Sequence, residues 1–317
     1  MRYGACYKGS KNSIAEWIYS HFPKTDNLYD LFAGGCAITQ IALMRQEYKR
    51  YFCNDIDNDG IRLFLDAIYG KFKYETRWIS RGDFYKLKDK EPYVKYAWSF
   101  GNNGRDYLYS KEIEPYKKAW HYAIYFHDYS PAEKLGMDLT SIEPIQNIYD
   151  RHIATKRIIK YTLSDENITR PINFERQQQL EALNRLQSLQ RLQSLQSLQS
   201  LQSDYSAVKI LPNSIIYCDI PYINTNAYGT KNRNTFDYER FYNWCRKQTE
   251  LVIISEYQMP EDFICIDEIE KPVMMNSGAD LKAIEKLFIP EQQENLWKSY
   301  QQKNRELKKY TQSCFTF

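Results

Sequence analysis

Short apolar runs alternating with helical stretches are what most narrows the folds open to this chain. Asn27 to Phe32 and Arg50 to Asn54 read as strands, and Arg77 to Ser80 as a third. Ser13 to Phe22, Ala37 to Tyr48 and Gly60 to Tyr69 read as the helices around them. Short strands separated by helices make a parallel sheet with crossover connections. The pattern returns late, with a strand from Ser214 to Asp219, a helix from Asp237 to Lys247 and a strand from Leu251 to Ile254. Between about residues 85 and 206 the chain is aromatic, basic and irregular. The expectation is therefore one α/β sheet, built from 1–85 and 207–290, interrupted by a module at 86–206 and followed by a basic helix or tail at 291–317.

Composition bounds the class. Tyr, Phe and Trp supply 49 of the 317 residues, ample material for a core and too much for a disordered chain. No apolar run approaches the ~20 residues needed to cross a bilayer, and Met1 to Lys11 holds no apolar stretch of the kind that directs secretion. A cytoplasmic protein is expected. The seven cysteines include no Cys-x-x-Cys pair and fit reduced thiols. The four histidines show no metal-like grouping, so no metal is expected. Overall charge is only +3, but Lys71 to Lys118 carries 12 Lys/Arg against 7 Asp/Glu, a surface suited to a polyanion.

A leucine recurs every third residue from 180 to 201, mostly as Leu-Gln-Ser. Against a 3.6-residue turn this spacing drifts about 60° per repeat, so the leucines spiral round a straight α-helix and form no stripe. A frayed helix, a small solenoid and a tolerated, partly helical expansion all fit. No catalytic group can be assembled from these side chains.

Chemistry concentrates elsewhere. Asp30-Leu31-Phe32-Ala33-Gly34-Gly35-Cys36 lies where a strand gives way to a helix, where small residues let backbone approach a ligand. A tight packing turn would look the same. Asp55 follows Gly34 by 21 residues, the separation at which an acid reaches a ribose hydroxyl. Together they indicate a nucleoside-containing cofactor. Asp55 to Asp66 also superficially matches a calcium loop, but Leu63 at the ninth position, Asp at the twelfth and a preceding strand argue against it. Asp219-Ile220-Pro221-Tyr222 ends the late strand. A carboxylate, a backbone carbonyl and an aromatic ring at that edge suit a planar base bearing an exocyclic amine. The ring stacks on the base, and the two oxygens accept the amine hydrogens.

These segments, with Tyr7-Lys8-Gly9-Ser10-Lys11, Asn54-Asp55 and Gly82-Asp83-Phe84, resemble the ordered motifs of the Dam-like adenine-specific DNA methyltransferases. The resemblance covers residues 3 to about 87 and 207 to about 290. It implies a Rossmann-like methyltransferase sheet interrupted by a target-recognition module, and transfer of a methyl group from S-adenosylmethionine to the 6-amino group of adenine without a covalent intermediate. Tyr7, Lys11, Asp30, Phe32, Gly34 and Asp55 would hold the cofactor, with Asp55 on its ribose and Asp83 and Phe84 facing its adenine. Asp219, the Ile220 carbonyl, Pro221 and Tyr222 would hold the target adenine. Two positions depart from the family pattern: Cys36 replaces a glycine and would crowd the methionine end of the cofactor, and Ile220 replaces a proline and leaves its carbonyl less rigidly placed.

The same resemblance implies double-stranded DNA as partner and a target base drawn out of the stack. In the middle module, Asn102, Asn103 and Arg105 lie in a turn-rich loop that offers base-edge readers, and Lys111, Lys117 and Lys118 offer phosphate contacts. A plain surface loop is the competing account. Asn224 to Gly229 is expected to form a loop over the displaced base. A monomer is expected, with room for a cognate restriction endonuclease. A catalytically decayed binding protein and a nicotinamide-dependent oxidoreductase stand as alternatives, the latter lacking a full Gly-x-Gly-x-x-Gly.

Overall fold

The computed structural model describes residues 2–165, 178–192, 197–222, 236–272 and 282–303. In chain order, α1 (Ala15–Ser20), β1 (Asn27–Asp30), α2 (Ala37–Arg45), β2 (Arg50–Asn54) and α3 (Asp59–Ile68) come first. The helices α4 (Arg81–Leu87), α5 (Pro92–Ala97), α6 (Glu114–Tyr125), α7 (Ser130–Glu133), α8 (Ile148–Asp165) and α9 (Gln178–Ser188) follow. The chain then forms β3 (Leu198–Leu201), β4 (Ser214–Asp219), α10 (Tyr238–Arg246), β5 (Leu251–Glu256), β6 (Phe263–Pro272) and β7 (Lys282–Pro290). Packing divides the chain into a first unit, 1–69 with 189–317, and a second, 70–188.

The first unit holds a seven-stranded sheet in the order β3-β2-β1-β4-β5-β7-β6. Its strands are parallel from β3 to β5, and β7 runs antiparallel between β5 and β6. This is the expected mixed α/β, Rossmann-like methyltransferase sheet. The central strands are largely apolar, as burial on both faces favours: β5 is buried throughout, including its terminal Ser255 and Glu256, and β4 everywhere but its terminal Asp219. The helices α3 and α10 present one apolar face each, Ile61, Phe64, Ala67 and Ile68 on α3 and Phe241, Tyr242 and Cys245 on α10. Asp237 starts α10 by accepting the Arg240 amide at 2.9 Å. Because β1 lies between β2 and β4, the strand order switches direction there, and a crevice opens at the carboxyl ends of β1 and β4.

Two expectations about strands need correction. Arg77 to Ser80 is no strand. Ser80 caps α4, accepting the Asp83 amide at 3.1 Å, while Trp78 stacks on Tyr109 and the Ile79 carbonyl takes the Tyr107 hydroxyl. Those apolar residues serve the aromatic core of the second unit. The strand beside β2 comes instead from the Leu-Gln-Ser repeat, where Tyr51 to Asn54 pair with Leu198 to Leu201. The repeat takes three forms in turn: α-helix to Ser188, a 3-10 turn over Leu189–Leu192, then β3. A 3-10 helix has three residues per turn, so there the three-residue period does align its leucines, and Leu189 and Leu192 are both buried.

The second unit is helical in its described residues and rich in stacked aromatics, with Trp98 and Trp120 fully buried. Its buried Arg151 donates to the Ile124 carbonyl at 2.8 Å and to the Ile145 carbonyl at 2.9 Å.

Candidate active site

The first unit contains a cavity of about 730 Å³ at the carboxyl edge of its parallel strands. Three segments meet there. The first is the turn from β1 into α2. Gly34 has φ +47°, and its amide donates to Asp55 Oδ2 at 2.9 Å. The turn is clasped on two sides. A Cβ on Gly34 would stand 3.0 Å from the Tyr7 ring, and one on Gly60 would stand 2.1 Å from the Gly34 carbonyl oxygen. Asp55 also accepts the Asp57 amide at 3.0 Å, and burial pushes its carboxyl up to about 6. Asp30 accepts both the amide and the hydroxyl of Thr39, at 3.2 and 2.8 Å. Burial, with the nearby Asp219 charge, pushes it up to about 7.

Cys36 precedes α2 in a left-handed conformation, φ 59°, which a side chain tolerates at a cost of roughly 1 kcal/mol. Its buried thiol is hydrogen-bonded with Cys53, and Cys36 is absent from the residues lining the cavity.

The second segment ends β4. Ile220, 2% exposed, buries its side chain in the core with Val252, Ile254 and Phe241, which anchors the motif where a proline ring is missing. The Pro221 carbonyl accepts the Tyr238 hydroxyl at 2.8 Å. Asp219 Oδ1 lies 2.7 Å from Lys11 Nζ, and the same ammonium sits 4.4 Å from the centroid of the Tyr222 ring. Tyr222 meets Tyr257 edge-on at 4.6 Å and donates its hydroxyl to Glu285, which is 3.2 Å from Lys11 Nζ. Burial, then the charges of Asp219 and Glu285, hold the Tyr222 phenol well above its ordinary range, so it stays protonated.

The third segment follows β3. Ser203, Asp204 and Tyr205 line the cavity, with Tyr205 against Phe32 at 5.5 Å and Asp204 held by both guanidinium nitrogens of Arg240, at 2.8 and 3.0 Å. Sequence reasoning missed these residues, together with Tyr257 and Glu285. The acid–aromatic pair it chose, Asp83 and Phe84, belongs to the second unit. There Asp83 accepts the Ser80 hydroxyl at 2.6 Å, and Phe84 is fully buried against Tyr85 and Tyr107. The pair that the structure brings to the cavity is Asp204 and Tyr205. Both pairs read alike in sequence, and only the edge strand hidden in the repeat tells them apart.

In the second unit the expected DNA contacts sort by exposure. Arg105, Lys111 and Lys118 are exposed. Asn102 donates to the Tyr96 carbonyl at 2.8 Å, and Asn103 accepts the Arg105 and Asp106 amides at 2.8 and 3.1 Å, so both amides shape the loop. Lys117 needs correction. It is 1% exposed, lies over the rings of Trp120 and Tyr109, and cannot reach a phosphate from there. Asn224 to Gly229 lies outside the described residues.

A glycine turn and an Asp-x-Pro-Tyr edge opening into one cavity of a Rossmann-like sheet define the class as a nucleic-acid-modifying methyltransferase. Residues 7–255 match the family profile of the D12 class N6 adenine-specific DNA methyltransferases, most of the chain, and the protein belongs to that family. It is thus an enzyme that methylates the 6-amino group of adenine in DNA. No curated protein sequence matches the chain.

Proposed function

We propose that S-adenosylmethionine is the methyl donor, held in this cavity by the Gly34 turn, and that Asp219 to Tyr222 hold the target adenine. The residues fit such a group. The cavity volume suits a nucleoside-sized ligand. Ser10 lines it with a buried hydroxyl that has no partner among the described residues. The acids Asp30, Asp55 and Asp204, which line the cavity beside the Gly34 turn or after β3, favour a cationic sulfonium. When bound, the cofactor supplies an electrophilic methyl group.

In this reading Gly34, Tyr7 and Phe32 form the cradle. Asp55, already fixed by the Gly34 amide, offers its remaining lone pairs to a ribose, and Asp204 with Tyr205 takes the place assigned to Asp83 and Phe84. Asp219 and the Ile220 carbonyl accept the hydrogens of the adenine amine and favour positive charge on its nitrogen. The Tyr222 ring stacks on the base, worth about 1–3 kcal/mol. Arg105, Lys111 and Lys118 contact the duplex. One chain carries the whole apparatus, so a monomer acting in the cytoplasm suffices; among the described residues no helix is long and apolar enough to cross a membrane.

The observation that carries this reading is the convergence of Gly34, Asp219 and Tyr222 on one cavity. Asp219→Ala should abolish tritiated methyl transfer to adenine-containing duplex DNA while calorimetric affinity for S-adenosylmethionine stays within a few-fold. Undiminished transfer in that variant would remove the assignment.

A further inference from the structure

Glu285 lies beyond the span matched to the family, yet it is buried at the catalytic corner, 1% exposed. It arrives on β7, which runs against β5. The pairing of Glu256 with Lys286 brings the start of β7 to the edge where the parallel strands end. There its Oε1 meets two groups of the site: it accepts the Tyr222 hydroxyl and stands 3.2 Å from the Lys11 ammonium, which is itself 2.7 Å from Asp219.

Two consequences follow from charge and geometry. A lysine paired with Asp219 alone would neutralise the carboxylate that has to attract the amine. With two carboxylates around one ammonium, the group keeps a net negative charge, and Asp219 keeps acceptor strength in a site screened from water. The second concerns the ring. A phenol tethered at its hydroxyl and braced by Tyr257 has its plane fixed before a base arrives, which removes an ordering cost from the reactive complex. A buried carboxylate needs such partners to be tolerated at all.

We propose that Glu285 is a positioning residue for methyl transfer, setting the plane of the Tyr222 ring and sharing Lys11 with Asp219. The proposal rests on the reading in which Asp219 and Tyr222 hold the adenine. Glu285→Gln preserves shape and removes charge. Its single-turnover methylation rate should fall about tenfold or more, while affinities for S-adenosylmethionine and duplex stay within about threefold. Combined with Tyr222→Phe, Glu285→Ala should lose less than the product of the two single losses, because each change removes one end of the same hydrogen bond, which the glutamine oxygen could still accept. Glu285→Ala should be at least as slow; if it does not fold, the glutamine variant decides. A Glu285→Gln rate within about twofold of wild type, a rate loss matched by an equal loss of cofactor affinity, or strictly multiplicative losses would each overturn the proposal. Asp219→Ala, run in parallel, separates the two levels. If it methylates normally, the underlying reading fails; if it is dead while Glu285→Gln is unimpaired, only the role of Glu285 fails.

Discussion

At the scale of single residues, two buried ionisable groups pull stability in opposite directions with pH. Asp30 titrates near 3.8 when unfolded and is pushed up to about 7 in the fold, chiefly by burial. Between those values the folded state holds more protons, so stability should fall as pH rises from about 4 to about 7. Asp30→Asn should flatten that decline, by an amount on the order of a few kcal/mol, in denaturant titrations run at successive pH values. Lys117 has the opposite sign. Burial pulls it from 10.5 down to about 7, the unfolded state holds more protons in between, and stability should rise from about pH 7 to 10. Lys117→Met should remove that rise; an unchanged profile would mean the ammonium is better solvated than its place over Trp120 implies. Neither burial could be read from sequence. Asp30 was legible as a strand-end acid, but its bonds to Thr39 depend on where α2 packs. Lys117 sat in a basic run that looked solvent-facing, and only the helix face it occupies decides otherwise.

At the scale of elements, legibility followed burial. Ser214–Asp219 and Arg50–Asn54 were readable to the residue because each centres on a short buried apolar run, Ile215 to Cys218 and Tyr51 to Cys53. The pair β6–β7 was not placed at all, since charged residues break up its apolar runs, Asp267, Glu268 and Glu270 in β6 and Glu285 and Lys286 in β7, and Glu285 was lost with it. Likewise β3, half-exposed and written in the same Leu-Gln-Ser as the preceding helix, is decided by tertiary pairing with β2. The glycine turn was legible as a motif, but its clasp was not: Gly60 opens α3, in a segment that first suggested calcium. A methyl at Gly60 would stand 2.1 Å from the Gly34 carbonyl, a contact that backbone must move to relieve. Gly60→Ala should therefore cost about 1–3 kcal/mol of stability and at least tenfold in cofactor affinity. Gly82→Ala is the matched control, because its Cβ would meet nothing nearer than Ser80 Oγ at 3.9 Å. Melting curves and calorimetry should leave that control unchanged or slightly stabilised.

At the scale of the whole molecule, charge is divided between the two units. Residues 70–188 hold 20 Lys/Arg against 16 Asp/Glu, whereas the remainder holds 23 against 24. A basic helical second unit and an acid-lined cavity in the first divide between them two tasks that conflict electrostatically: attracting a polyanion and stabilising positive charge on a base. If the second unit supplies the phosphate contacts, duplex affinity should fall steeply with salt through counterion release. Arg105→Ala and Lys111→Ala should each weaken binding across sequences and reduce the slope of log affinity against log salt by about 1. Cofactor affinity, belonging to the other unit, should not move. Lys117→Met supplies the internal contrast. It removes the same formal charge from a buried position, so it should leave both the slope and the affinity near wild type. Fluorescence anisotropy of labelled duplex at four or five salt concentrations reads all three variants. Equal slopes for Arg105→Ala and wild type would place the phosphate contacts elsewhere, and a reduced slope for Lys117→Met would return that lysine to the surface.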